Sequence, residues 1–174
     1  MNCRGKIVLC VMMAVACWFP PISRPATATG ETRQDSRFSG YSDGMVVDTK
    51  NKLMWAAADN GKDVNWTEAA LFCDEYVGGG FDDWRLPTSE ELATLYTPEK
   101  ANKDGLFVPE LIRLSNIMMW SSDRQTCKAR CMDFTSGSML TIVGSRSDVA
   151  RALPVRTVTK IPANNRESQQ TAIP

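Results

Sequence analysis

Four cations in two polar late segments are the residues here whose type and spacing could bind a ligand. Arg124, Lys128 and Arg130 lie in Asp123-Arg124-Gln125-Thr126-Cys127-Lys128-Ala129-Arg130, and Arg146 lies in Gly144-Ser145-Arg146-Ser147-Asp148. Guanidinium and ammonium groups gathered on loops could receive a sulfated or acidic glycan, because charge-assisted hydrogen bonds to sulfate and carboxylate are strong and directional. The flanking aspartates give the competing reading of an ordinary soluble surface. Cys127 and Cys131 are the second chemical pair. Four extended residues span about 13 Å, beyond disulfide reach of roughly 7 Å, so a bridge requires Lys128-Ala129-Arg130 to turn. A loop-stapling disulfide is the expectation for an exported chain. A redox or copper-binding thiol pair is the enzymatic alternative, and with it the chain would be a thiol-dependent oxidase.

Trp84-Arg85-Leu86-Pro87-Thr88 is the third feature. Trp84 and Leu86 are expected in the core, with Arg85 bracing loops through Asp82, Asp83 or backbone carbonyls. The functional alternative turns Arg85 toward a carboxylate or sulfate ligand. Asp82, Asp83, Asp123 and Asp133 are scattered and make no alternating Asp/Asn run of the kind calcium needs, so neither a metal nor a cofactor is expected. Histidine is absent from all 174 residues. That excludes Ser-His-Asp and Cys-His catalysis and His-bearing zinc or copper sites in their usual forms.

The elements that must position these groups are readable. Met45 to Asp48 and Leu53 to Ala56 flank a polar turn, which predicts a hairpin with Trp55 in its core. Asn65 with Glu68 opens a helix whose Trp66, Ala69, Ala70, Cys73 and Tyr76 or Val77 share a face; Gly78-Gly79-Gly80 is expected to end it. Thr88 with Glu91 is a second capping box, and Pro87 keeps the entering chain extended. Met118 to Ser122, with Trp120 inward, reads as a strand. Arg130 to Phe134, Met139 to Val143 and Ala152 to Val158, which carries Arg156, read as three more. A helical turn is expected near Pro109-Glu110-Leu111-Ile112. Early helices and late strands make an α+β domain over residues 41–159.

Residues 1–28 read as a signal peptide. Arg4 and Lys6 precede a 13-residue apolar run from Ile7 to Phe19, too short to span a bilayer, and Ala26-Thr27-Ala28 offers a cleavage site. Cys17 within Ala14-Val15-Ala16-Cys17 loosely suggests a lipoprotein box as a minor alternative. Three of the 20 basic residues and none of the 20 acidic ones fall in this segment, leaving residues 29–174 mildly acidic. That balance argues against nucleic acid and against a strongly anionic membrane surface. Residues 29–40 are expected to form a flexible leader and residues 160–174 a disordered tail. An exported chain, periplasmic or secreted, follows.

The succession Leu53-Met54-Trp55, Trp66-x-x-Ala69 with Cys73, and Gly79-Gly80-Phe81-Asp82-Asp83-Trp84-Arg85-Leu86-Pro87-Thr88-x-x-Glu91-Leu92 resembles the C-terminal domain of the Legionella collagen-like adhesin, a bacterial family mostly of unknown function. Trp120-Ser121-Ser122, Met132-Asp133-Phe134 with Gly137, and Pro154-Val155-Arg156 agree with it. The resemblance implies a C-type-lectin-like fold, in which two helices flank a twisted antiparallel sheet and the chain ends lie close together. Structural roles are expected for Trp55, Trp66, Trp84, Arg85, Pro87, Thr88, Glu91, Trp120 and Arg156. The resemblance also implies a cysteine after the final Val-Arg to pair with Cys73, but Thr157 stands there. The functional expectation is a lectin-like binding module for a glycan or cell-surface ligand; the alternative is a structural component that binds an envelope protein.

Overall fold

A computed structural model describes residues 31–35 and 37–158. The signal segment and the tail from 160 lie outside the described residues. The fold is α+β, with two short helices and two antiparallel sheets in place of one. Strands β1 (Glu31–Asp35), β2 (Phe38–Tyr41), β3 (Met45–Asp48), β4 (Leu53–Ala56) and β8 (Val155–Thr157) form the first sheet in that order. Strands β5 (Met118–Gln125), β6 (Lys128–Asp133) and β7 (Met139–Val143) form the second. Helices α1 (Trp66–Asp74) and α2 (Ser89–Leu95) lie between them in sequence.

Both capping boxes form. The Asn65 side chain accepts from the Glu68 amide at 3.0 Å, and Thr88 accepts from the Glu91 amide at 3.2 Å. Each glutamate accepts the cap amide in return, so two otherwise orphaned donors are satisfied at each helix start. The glycine run, however, does not end α1. Glu75 caps the helix, and the glycines turn the chain after it, where the Phe81 amide donates to the Gly78 carbonyl at 3.1 Å.

The expected leader is a correction of more substance. It is not a loose approach: β1 and β2 extend the first sheet, and Phe38, Ser39, Gly40 and Tyr41 are buried. A polar stretch with a single Phe hides such a strand, because its place comes from backbone pairing with β3 and not from alternation. It also puts the first and last described strands on opposite edges of the sheet, so the expected closeness of chain ends is not found among them. The last strand is shorter than expected, and Pro109 to Ile112 makes only a turn, closed by Ile112 N–H to the Pro109 carbonyl.

Side-chain alternation in β5 and β6 divides the core. Trp120, Ala129 and Cys131 face α1 with Val64, Ala69 and Cys73. Met119, Met132 and Phe134 face α2 with Leu92, Leu95 and Trp55. The second sheet is thereby a rigid plate, buried on both faces near its middle. Its far end, the β5–β6 hairpin, lies beside the first residues of both helices, with Arg124 over Trp66 and Asp123 accepting from the Ser89 amide. Among the described residues no helix is long and apolar enough to cross a membrane.

Candidate functional site

The β5–β6 hairpin carries the cations out of the core. Arg124 pairs with Ala129 and Gln125 with Lys128, leaving Thr126 and Cys127 as a two-residue turn with Thr126 at φ 54. Beyond the turn the strand alternates exposed Lys128, buried Ala129, exposed Arg130 and buried Cys131. Directly paired residues share a face, so Thr141, opposite Arg130, and Val143, opposite Lys128, stand on the cationic side. That face opens into a depression of about 640 Å³, lined by Glu90, Asp123, Arg124, Gln125, Lys128, Arg130 and Thr141.

The charges in it are held differently. The Arg124 guanidinium lies 4.7 Å over the Trp66 ring and donates to the Thr126 carbonyl at 2.9 Å, and it has no carboxylate partner among the described residues. Trp66 is fixed by its indole N–H, which donates to the Ser121 carbonyl at 2.8 Å. Arg130 stands a loose 4.0 Å from Asp123, whose carboxylate also accepts from the Ser89 amide at the start of α2. Lys128 carries no carboxylate partner among the described residues. Lys128 and Arg130 thus share one face, while Arg124, paired with the buried Ala129, carries its guanidinium to the α1 side over Trp66 and meets the depression only at its edge. Arg146 does not join them: it is exposed and paired with Asp148 through two hydrogen bonds of 2.8 and 3.0 Å, each group stabilising the other's charged form. Sequence reading missed Glu90, Gln125 and Thr141; the register of the β6–β7 hairpin would have supplied Thr141.

The expected Cys127–Cys131 disulfide is absent. Lys128-Ala129-Arg130 runs extended as strand rather than turning, so Cys127 sits exposed at the hairpin tip while Cys131 points into the core. Burial, helped by the Asp133 charge, pushes the Cys131 thiol up to about 11. Cys73 is a buried free thiol, shifted upward further by desolvation alone.

Trp84 and Leu86 fill the core as expected, but Arg85 does not brace Asp82 or Asp83. It meets Glu91 in a two-pronged pair at 2.6 and 2.7 Å. Burial pushes the Glu91 carboxyl upward, yet the Arg85 hydrogen bonds, the Thr88 amide and the Arg85 charge outweigh it and hold the group below its ordinary range. Asp83 belongs instead to Arg156, which is buried and has its guanidinium 3.8 Å above the Phe81 ring. An apolar groove of about 540 Å³ lined by Ala70, Leu71 and Asp74 of α1 and by Arg85 is where Arg85 could meet a ligand, but Glu91 already occupies its fork. Asp133 is spent on Thr135 and Ser136, so three of the four candidate acids, Asp83, Asp123 and Asp133, go to separate partners.

No curated protein matches the chain. The family model of the Lcl C-terminal domain matches residues 44–156, from the turn before β3 to the Arg156 that holds Asp83. The chain belongs to the Lcl C-terminal domain family.

Proposed function

We propose that the chain is an exported binding module of C-type-lectin-like fold whose β5–β6 end recognises an anionic glycan. The observation that carries this reading is the state of two cations. Arg124 is held over Trp66, and neither it nor Lys128 is neutralised by a carboxylate among the described residues. A guanidinium already ordered by an aromatic ring loses less freedom on meeting a sulfate than one swinging in solvent. A hairpin built on a plate with a packed core adds the rigidity that lets loop residues act as a site. Glu90 and Asp123 on the rim would favour ligands whose anionic groups are spaced apart over a continuous charged surface.

The test is an array of sulfated, carboxylated and neutral glycans probed with residues 29–174, with and without calcium. Salt-sensitive binding to anionic glycans that falls in Arg124→Ala with Lys128→Ala supports the reading. Binding confined to neutral sugars, or none at all, ends it.

A further inference from the structure

We infer that the outer edge of β7 is a docking strand for an extended, acidic segment of a partner protein. The phase of the β6–β7 ladder fixes which backbone groups face outward. The Gly144 amide donates to the Cys127 carbonyl at 2.9 Å, and the Asp133 amide to the Ser138 carbonyl at 3.0 Å. Both bonds flank directly opposed pairs, Lys128 with Val143 and Met132 with Met139, so those pairs do not bond each other. Met139, Thr141 and Val143 therefore turn their N–H and C=O groups away from β6. The Val143 carbonyl is taken by the Arg146 amide at 3.1 Å. The remaining outward groups of these three residues have no partner among the described residues.

Among the described residues, the outer edges of β5 and β8 are taken up. Along β5, the Trp120 amide donates to the Arg151 carbonyl, the Arg151 amide to the Met118 carbonyl, and the Ser122 amide to the Pro87 carbonyl. Along β8, Arg85 and Val155 exchange a pair of bonds at 2.9 and 3.0 Å. The edge strand β1 has the sequence Glu-Thr-Arg-Gln-Asp, a charged composition that disfavours strand addition. By contrast β7 is Met-Leu-Thr-Ile-Val, with no charge and no proline. An unguarded strand of this kind is suited to strand addition, in which main-chain bonds give affinity and alternate side chains give specificity.

Charge selects the occupant. A strand added beside β7 places the residues opposite Thr141 and Val143 on the cationic face, about 10 Å from Arg130 and Lys128 by two strand spacings. An arginine or lysine and a glutamate together span that gap, and only the small Thr141 stands between Arg130 and its acid. Lys128 and Arg130 are two residues apart, which matches acid-x-acid in an extended partner. A second copy of β7 would bring no anion to either cation.

The probe is the blocked peptide Thr-Glu-Val-Glu-Val-Glu-Thr, titrated into residues 29–174. In the bound register the glutamate amides face β7 and the valine amides face away. Methylating the glutamate amide nitrogens should weaken binding roughly tenfold or more, while methylating the valine ones leaves it within about twofold. Thr141→Pro removes an edge donor at a place where proline is tolerated, and should act like the first modification. Lys128→Glu with Arg130→Glu should abolish binding and leave the circular dichroism unchanged. Equal effects of the two methylations, or no binding of the unmodified peptide, overturn the proposal. So does sedimentation of the chain as a dimer that Thr141→Pro dissociates. Glycan binding at Arg124 needs no β7 backbone, so its survival in Thr141→Pro keeps the two readings separable.

Discussion

Arg85 and Glu91 meet fork to fork, with two guanidinium nitrogens 2.6 and 2.7 Å from two carboxylate oxygens, and Glu91 accepts the Thr88 amide at 2.9 Å as well. One carboxylate therefore closes the α2 capping box and anchors the corner that carries Trp84 and Leu86. Its folded-state pKa is lowered, so the stabilisation it supplies is present above the ordinary value of 4.5 and is lost as pH falls below that value through the depressed one. Glu91→Gln keeps a capping acceptor but loses the ion pair. It should lower stability by about 1 kcal/mol at pH 7, since the pair is partly exposed and screened. The gap between wild type and Glu91→Gln should shrink in urea melts at progressively lower pH below 4.5. A gap that stays constant or widens there means the pair contributes nothing.

Gly79 follows α1 at φ 60, and a Cβ there would stand 2.0 Å from the sulfur of Met45, which is fully buried. Gly61 has a similar φ of 72 but open space around it. Left-handed backbone alone costs an alanine roughly 1–2 kcal/mol, so Gly61→Ala should lose about that much. Gly79→Ala must also displace Met45 from a packed site and should lose roughly 1–3 kcal/mol more. Thermal melts of the two variants make the comparison; equal losses would show that Met45 swings aside freely.

Where local chemistry decides, the sequence was legible. Asn65 with Glu68 and Thr88 with Glu91 announced both helix starts, and Leu53-Met54-Trp55 announced a core strand. The failures share a cause, since each depends on partners distant in the chain. Phe38 to Tyr41 shows no alternation because both its faces are buried. Arg85 chose Glu91 over the nearer Asp82 and Asp83 because α2 presents that carboxylate beside the corner, while Arg156, from the last strand, claims Asp83. Arg146 left the cation cluster for Asp148, two residues on, an attraction visible in the sequence and outweighed there by the count of charges. The cysteine spacing misled because a tight two-residue turn puts Cys127 outside the strand and Cys131 within it.

Those thiols can be counted. Residues 29–174 contain Cys73, Cys127 and Cys131, of which Cys127 alone is exposed. A chromogenic disulfide reagent should titrate one thiol in the native chain and all three in guanidinium. Cys127→Ser should remove the native reaction. Burial raises the Cys131 thiol to about 11 and favours its protonated, unreactive form, so raising the pH to 9 should not expose it while the fold holds. Two thiols missing after denaturation without reductant would restore the disulfide.

The cations of the hairpin should separate binding from stability. Lys128 is exposed, and Arg124 contributes a surface cation–π contact of about 0.5–1 kcal/mol with Trp66. Arg124→Ala with Lys128→Ala should therefore shift stability by no more than about 1 kcal/mol. Affinity for a sulfated glycan should fall roughly tenfold or more, because two charge-assisted contacts disappear together. Arg146→Ala should leave affinity within about twofold, since Asp148 already neutralises that arginine. Raising the salt from 0.05 to 0.5 M should weaken wild type more than the double variant, exposed charges being screened over about a Debye length. If Arg146→Ala is the variant that loses the glycan, the site lies on the Gly144–Asp148 loop and not in the depression beside Arg130.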